Sequence, residues 1–291
     1  AALSDDGAYA AVTTVDGAVS VWSVAQREEL QRWPATEFGG GARFLRFVDG
    51  GRLLLLAGID YSVEKSAPDE GDMNYFMLRD TRDGTIRRIW TLQGARLTAI
   101  AAAADGSVIL AGFSNGLMTL FHTRASTRQD YSLHTGKITD IALSPDGSAA
   151  LSSSVDSTAL YWNVDDGTVL QRFSHNNRAT VVAADSSFRT GFSSDALDNQ
   201  RLWDLASGEL VAALGHQQRW MYISNARFSA TGKHLVLASP SKAVSVWNAI
   251  NGDRIASWHI DFPVVDAAET RVGDIVSIGS SGIVEVWSRQ W

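Results

Sequence analysis

One short segment recurs along the chain, and its spacing limits what the chain can fold into. GAVSVWS, NYFMLRD, GLMTLFH, TALYWNV, NQRLWDL, KAVSVWN and GIVEVWS each set a large apolar or aromatic residue ahead of a small or polar one. With Trp22, Leu78, Phe121, Trp162, Trp203, Trp247 and Trp287 as anchors, successive spacings are 56, 43, 41, 41, 44 and 40 residues. A second landmark is the turn SDDG, VDGG, AADG or SPDG, whose aspartates Asp6, Asp49, Asp105 and Asp146 lie 43, 56 and 41 residues apart. Both series hold one long interval, which places an insertion of about 15 residues between about 58 and 75. A unit this small cannot bury its own apolar face, so neighbouring units must cover one another.

Strand signals fill each unit. ITDIALS, SAALSSS and TALYWNV alternate or run apolar for five to seven residues between Gly, Asp, Ser and Asn, and sustained helical periodicity is absent. Gly167, Gly208 and Gly252 mark a turn after the third strand, and Trp33, Phe173, Leu214 and Trp258 stand eleven residues after their anchors in the fourth. Four strands in a unit of roughly 40 to 45 residues indicate a radial ring of sheets, which shields the edges that separate sheets would expose. The expected fold is all-β: one seven-bladed β-propeller of four-stranded antiparallel blades over residues 1–291, with the acidic insertion inside blade two.

Composition narrows the function classes. A net charge of -7 disfavours a surface that neutralises phosphates, so nucleic acid is not an expected partner. No apolar run reaches the roughly 18 residues of a membrane-spanning helix, so no transmembrane segment is expected within the chain. The absence of cysteine removes disulfides and thiolate chemistry but leaves the compartment open, bacterial periplasm or envelope on one side and cytoplasm on the other.

The stretch SLHTGKITDIALSPDGSAALSSSVDSTALYWN resembles the WD-repeat family, and the other units keep its spacing with fewer of its letters. Trp203-Asp204 is the single Trp-Asp pair, so the repeats are degenerate. The resemblance implies a propeller whose partners are other proteins. It also implies a structural network of a histidine, a second-strand serine, a turn aspartate and the anchor tryptophan. Carried onto this chain, the network is His134, Ser152 or Ser154, Asp156 and Trp162, with His175, His216 and His259 at the same period. Ser241 and Ser281 stand where Asp156 stands, which leaves those units incomplete. By the same resemblance, residues ahead of Ala1 are expected to supply the outer strand of the last blade.

Isolated motifs have structural readings. Gly112-Phe113-Ser114-Asn115-Gly116 matches a nucleophile elbow, but a strand is expected after it where the elbow needs a helix. Four of the six histidines fall in different blades and cannot converge on one ion, so neither metal nor cofactor is expected. The insertion carries Asp60, Tyr61, Glu64, Asp69, Glu70 and Asp72 against Lys65, and reads either as a solvated, merely tolerated loop or as an acidic loop that recognises a basic partner surface. Arg219, Trp220 and Tyr222, between blades, have the composition of an interface hot spot, with packing under the next blade as the alternative. These residues, Tyr61, Glu64, Asp69, Glu70, Asp72, Arg219, Trp220 and Tyr222, are the candidate binding set. The expected function is a non-catalytic protein-interaction platform or scaffold, compatible with a larger bacterial envelope assembly. The alternative is a propeller enzyme or small-ligand binder that uses the central channel, with Asp140 and Asp266 as its polar residues.

Overall fold

A computed structural model of the chain describes residues 1–14, 16–37, 42–60, 71–215 and 222–288. Seven antiparallel sheets stand around one axis, six with four strands and the seventh, at residues 264–287, with three. Strand order within each sheet follows the chain, so every blade is a meander from axis to rim. Among the described residues the helical segments are two 3-10 turns, Ala35–Glu37 and Asp49–Gly51, and no helix is long and apolar enough to cross a membrane.

The innermost strands are Ala2–Leu3, Phe44–Val48, Leu97–Ala102, Ile138–Leu143, Ala179–Ala184, Asn225–Phe228 and Val264–Glu269. Each lies beside the next, and the last lies beside the first, which closes the ring. Their small residues follow from that geometry, because seven strands converge there. The core is distributed to match. Every one of the seven apolar clusters is shared by two adjacent blades, as where Ala99, Leu110 and Met118 of blade three meet Ile141, Leu160 and Trp162 of blade four. Trp162 is fully buried there, and such a side chain contributes upwards of about 2 kcal/mol.

The turns supply the register. In the SPDG turn Asp146 accepts hydrogen bonds from the Ser144 and Ser148 hydroxyls and the Ser148 amide, and Gly147 takes φ +80°, a conformation costly for other residues. The Gly112-to-Gly116 segment is a hairpin between Val108–Phe113 and Met118–His122, so Ser114 sits on no strand-to-helix elbow.

Two positions differ from the sequence reading. In blade two Leu54 pairs with Arg79, as Ala150 pairs with Trp162 and Leu235 with Trp247, so the anchor is Arg79 and not Leu78. Arg79 fills an aromatic's place by stacking 4.4 Å over the Trp33 ring and pairing with Glu37, which joins blades one and two. The insertion is also narrower than 58–75, for the second strand runs to Ile59 and the third starts at Asp72. Asn74, fully buried, donates to the Leu92 and Ala95 carbonyls and accepts the Leu97 amide, which ties blade two to blade three.

Because each cluster belongs to two blades, no blade can open alone without exposing its neighbour's apolar face. Thermal unfolding followed by calorimetry and by tryptophan fluorescence should therefore show one coincident transition. Two resolved transitions would contradict the shared core.

Candidate functional site

The best-formed polar constellation lies in blade four. Trp162, from the third strand, donates its Nε1–H to Ser152 Oγ at 3.1 Å. Ser152 Oγ lies 2.9 Å from His134 Nε2, and His134 Nδ1 lies 2.9 Å from Asp156 Oδ2. An ionised carboxylate only accepts, so Nδ1 carries the proton, and Nε2 accepts the serine hydroxyl. Every donor then has an acceptor along the chain from indole to hydroxyl to imidazole to carboxylate. Asp156 is further fixed by the Thr158 hydroxyl and the Thr135 amide.

Burial sets the proton affinities. It pushes the His134 imidazole down, against the opposing pull of Asp156. For Asp156 burial would raise the carboxyl, but hydrogen bonds from Thr158, Thr135 and His134 outweigh it and hold the group below the carboxylate range. Carboxylate, imidazole and hydroxyl stand in the order of a hydrolase triad. Ser152 nevertheless has no exposed surface, and the Trp162 indole occupies its oxygen, so no substrate carbonyl reaches it.

Blade five holds a second set that the sequence reading missed. Trp203 Nε1 donates to Ser193 Oγ at 2.8 Å, and that oxygen lies 2.8 Å from His175 Nε2. Its carboxylate is Asp195, at the end of the second strand, 3.6 Å from His175 Nδ1 and beyond hydrogen-bond reach. Asp195 instead accepts the Leu197 and Asn199 amides of the turn. Histidine, serine and tryptophan each repeat after 41 residues in the sequence, a signal that could have located the set. In blades one and six the indoles of Trp22 and Trp247 bond Ser20 and Ser245 on their own strands. In blade seven Trp287 Nε1 and Ser277 Oγ have no hydrogen-bond partner among the described residues. His259 is exposed at the end of a fourth strand, and His216 lies outside the described residues.

The candidate binding set is only partly described. Tyr61, Glu64, Asp69, Glu70, Arg219 and Trp220 lie outside the described residues. Asp72 opens a strand and pairs with Arg96 at 3.1 Å. Tyr222 is 55% exposed in the connection from blade five to blade six. The meander puts that connection and the turns joining second to third strands at the same end of the ring. Val155 and Leu197, 39% and 59% exposed, belong to such turns in blades four and five.

A cavity of about 440 Å³ occupies the channel. On one side Arg227 makes two hydrogen bonds, 2.9 and 2.8 Å, to Asp266 of the next blade and a third, 3.0 Å, to Asp5. Asp266 also accepts the Leu3 amide across the blade seven–one junction. Asp140 accepts the amides of Ile141 and of Val182 in the next blade, and burial pushes its carboxyl up to about 6. Arg46, also in the lining, is half-buried. The sequence reading named neither arginine. Each lies seven residues ahead of a second strand and directly before a phenylalanine, and that spacing together with the Arg-Phe pair marks the position. Among the described residues no group of three or more His, Asp or Glu converges as a metal site.

Residues 126–163 match the family model for the WD domain, G-beta repeat. No curated protein matches the chain.

Replacing Asp156 with Ala leaves His134 Nδ1–H and the Thr135 amide without an acceptor and should cost about 1–3 kcal/mol in chemical denaturation. Partner affinity should not change. A loss of affinity at unchanged stability would make Asp156 a contact residue.

Acid should act through the same rings. His134 and His175 are both held below the usual 6.5 by burial, so as pH falls the unfolded chain takes up protons first. Their stabilisation is present above 6.5 and is lost below it, whereas Asp140, raised to about 6, gains stability as pH falls. The Asp140 contribution is common to wild type and a His175→Gln variant. The drop in melting temperature from about pH 7 to about pH 5 should therefore be smaller in the variant. Equal drops would mean that His175 is not a buried neutral ring.

Proposed function

We propose that this seven-bladed propeller of the WD-repeat type is a non-catalytic platform for protein–protein interaction. Its working surface is the end of the ring that carries the inter-blade connections. The observation that carries this reading is three exposed apolar side chains at this end of the ring, Val155 and Leu197 in turns of blades four and five and Tyr222 in the connection that follows blade five. None of the three belongs to one of the seven apolar clusters, and exposed apolar side chains among polar ones are a pattern of contact sites.

Charge divides the same face. The insertion in blade two is acidic in sequence, and Lys137 and Arg178 are exposed beside the apolar group in blades four and five. A partner would set a basic segment toward blade two and an apolar segment over blades four to six. Charge of changing sign fixes orientation and speeds encounter more than it tightens the complex.

The test has two arms on one captured partner, both read by surface plasmon resonance. Leu197→Asp should weaken binding at least about tenfold through faster dissociation, with an unchanged melting temperature. Deleting residues 61–70, which leaves Asn74 and its hydrogen bonds in place, should slow association and flatten its salt dependence. Unaltered affinity and salt dependence in both proteins would remove this face from the interaction.

A further inference from the structure

The channel holds one completed ion pair and the two halves of another. Strand register makes Arg46 and Arg227 equivalent, each placed one residue before a phenylalanine that pairs with the second strand. By the same register Ala101 occupies this position in blade three, and Ala99, Asp140 and Asp266 are equivalent in blades three, four and seven. Arg227 of blade six therefore reaches the aspartate of the blade that follows it. Arg46 of blade two meets Ala99 at that place, and Asp140 of blade four has Ala101 where an arginine would precede it.

The two charges are thus parted by one blade that carries no charge at either position. Arg46 forms no hydrogen bond or ion pair with a described side chain. Asp140 is bonded by backbone amides alone, and the Arg46 charge acts on it across the gap. Both line the same cavity, whose volume of about 440 Å³ is in the range of small-molecule sites.

We propose that the channel wall at blade three binds a small zwitterion of the amino-acid type, its carboxylate on Arg46 and its ammonium on Asp140. A planar guanidinium takes a carboxylate through two parallel hydrogen bonds, as Arg227 takes Asp266. The carboxylate of Asp140, kept in place by two amides, offers its remaining lone pairs to an N–H donor. Between the two charges blade three presents Ile100, half-buried, to the same cavity, an apolar surface for a short carbon chain. This site is independent of the protein-binding face, since it depends on inner strands and not on turns.

Calorimetric titration of the whole chain with glycine, 4-aminobutyrate and 6-aminohexanoate tests the proposal, with succinate and putrescine as probes bearing one kind of charge. At least one amino acid should bind with a dissociation constant below about 1 mM, and succinate and putrescine should each bind at least about tenfold more weakly. Arg46→Gln should reduce that affinity at least about tenfold. Ala99→Asp removes neither binding residue but gives Arg46 the partner that Arg227 already has, so it should abolish binding, whereas the uncharged Ala99→Asn, equally bulky at this buried position of the blade three–four cluster, should bind like wild type. Three results would each overturn the proposal: no amino acid binds, succinate binds as well as the best of them, or Ala99→Asp binds like wild type.

Discussion

Each blade has two apolar faces and no means of covering either. The sheet is too thin to have an interior, so Leu54, Trp162 and Val246 are buried only because an adjacent blade lies against them. This one-sided dependence is satisfied for every member only when the array closes on itself, which it does where Leu3 and Ala10 meet Ala268 and Val276. Closure then dictates the taper. Inner strands such as LTAIAA and ATVVAA are built of small residues, and the bulky aromatics lie outward, where adjacent blades diverge. Inter-blade hydrogen bonds reinforce the packing at the axis, as Thr139 donates to the Ala179 carbonyl and Ser224 to that of Val264.

Within that frame the anchor position poses one polar problem, the indole N–H carried into an apolar cluster. Leaving it unpaired costs about 1–3 kcal/mol, and the blades resolve it differently. Blades four and five use a second-strand serine backed by histidine, and blades one and six use a serine two residues earlier on the same strand. Blade two avoids the problem by using Arg79, whose guanidinium is satisfied by Glu37 and the Gly84 carbonyl. The requirement is for an acceptor at the indole and not for particular letters, which is why the repeats can drift while the fold persists.

That distinction also sets what could be read from the chain. Blade number and strand order were legible because they depend on spacing, and spacing survives substitution, whereas the network of His134, Ser152 or Ser154, Asp156 and Trp162 came from the resemblance of a single blade's letters. Arg79 was not legible, since an apolar anchor was assumed and a stacked cation looks like a surface residue in sequence. Gly84, five residues later as Gly167 is after Trp162, was the available correction. Asp195 escaped because the carboxylate had moved to the strand end, to serve the turn amides. Arg46 and Arg227 escaped because a channel is lined by one or two residues from each blade, so its charges lie scattered along the chain and come together only in the ring.

The two kinds of polar group do different work. Ser152, His134 and Asp156 are consumed by one another and by Trp162, and a network with every donor satisfied has nothing left to offer a ligand. Chemistry resembling a hydrolase triad is thereby spent on holding a strand turn against a core tryptophan. Groups free to bind must be ones the fold does not need. On the outer face these are turn residues such as Leu197, which contact no cluster. In the channel they are charges whose counterpart is missing from the adjoining blade. A propeller can thus alter either surface by single substitutions without disturbing the shared clusters, and the ring's rigidity, set by those clusters, keeps both surfaces in a fixed geometry.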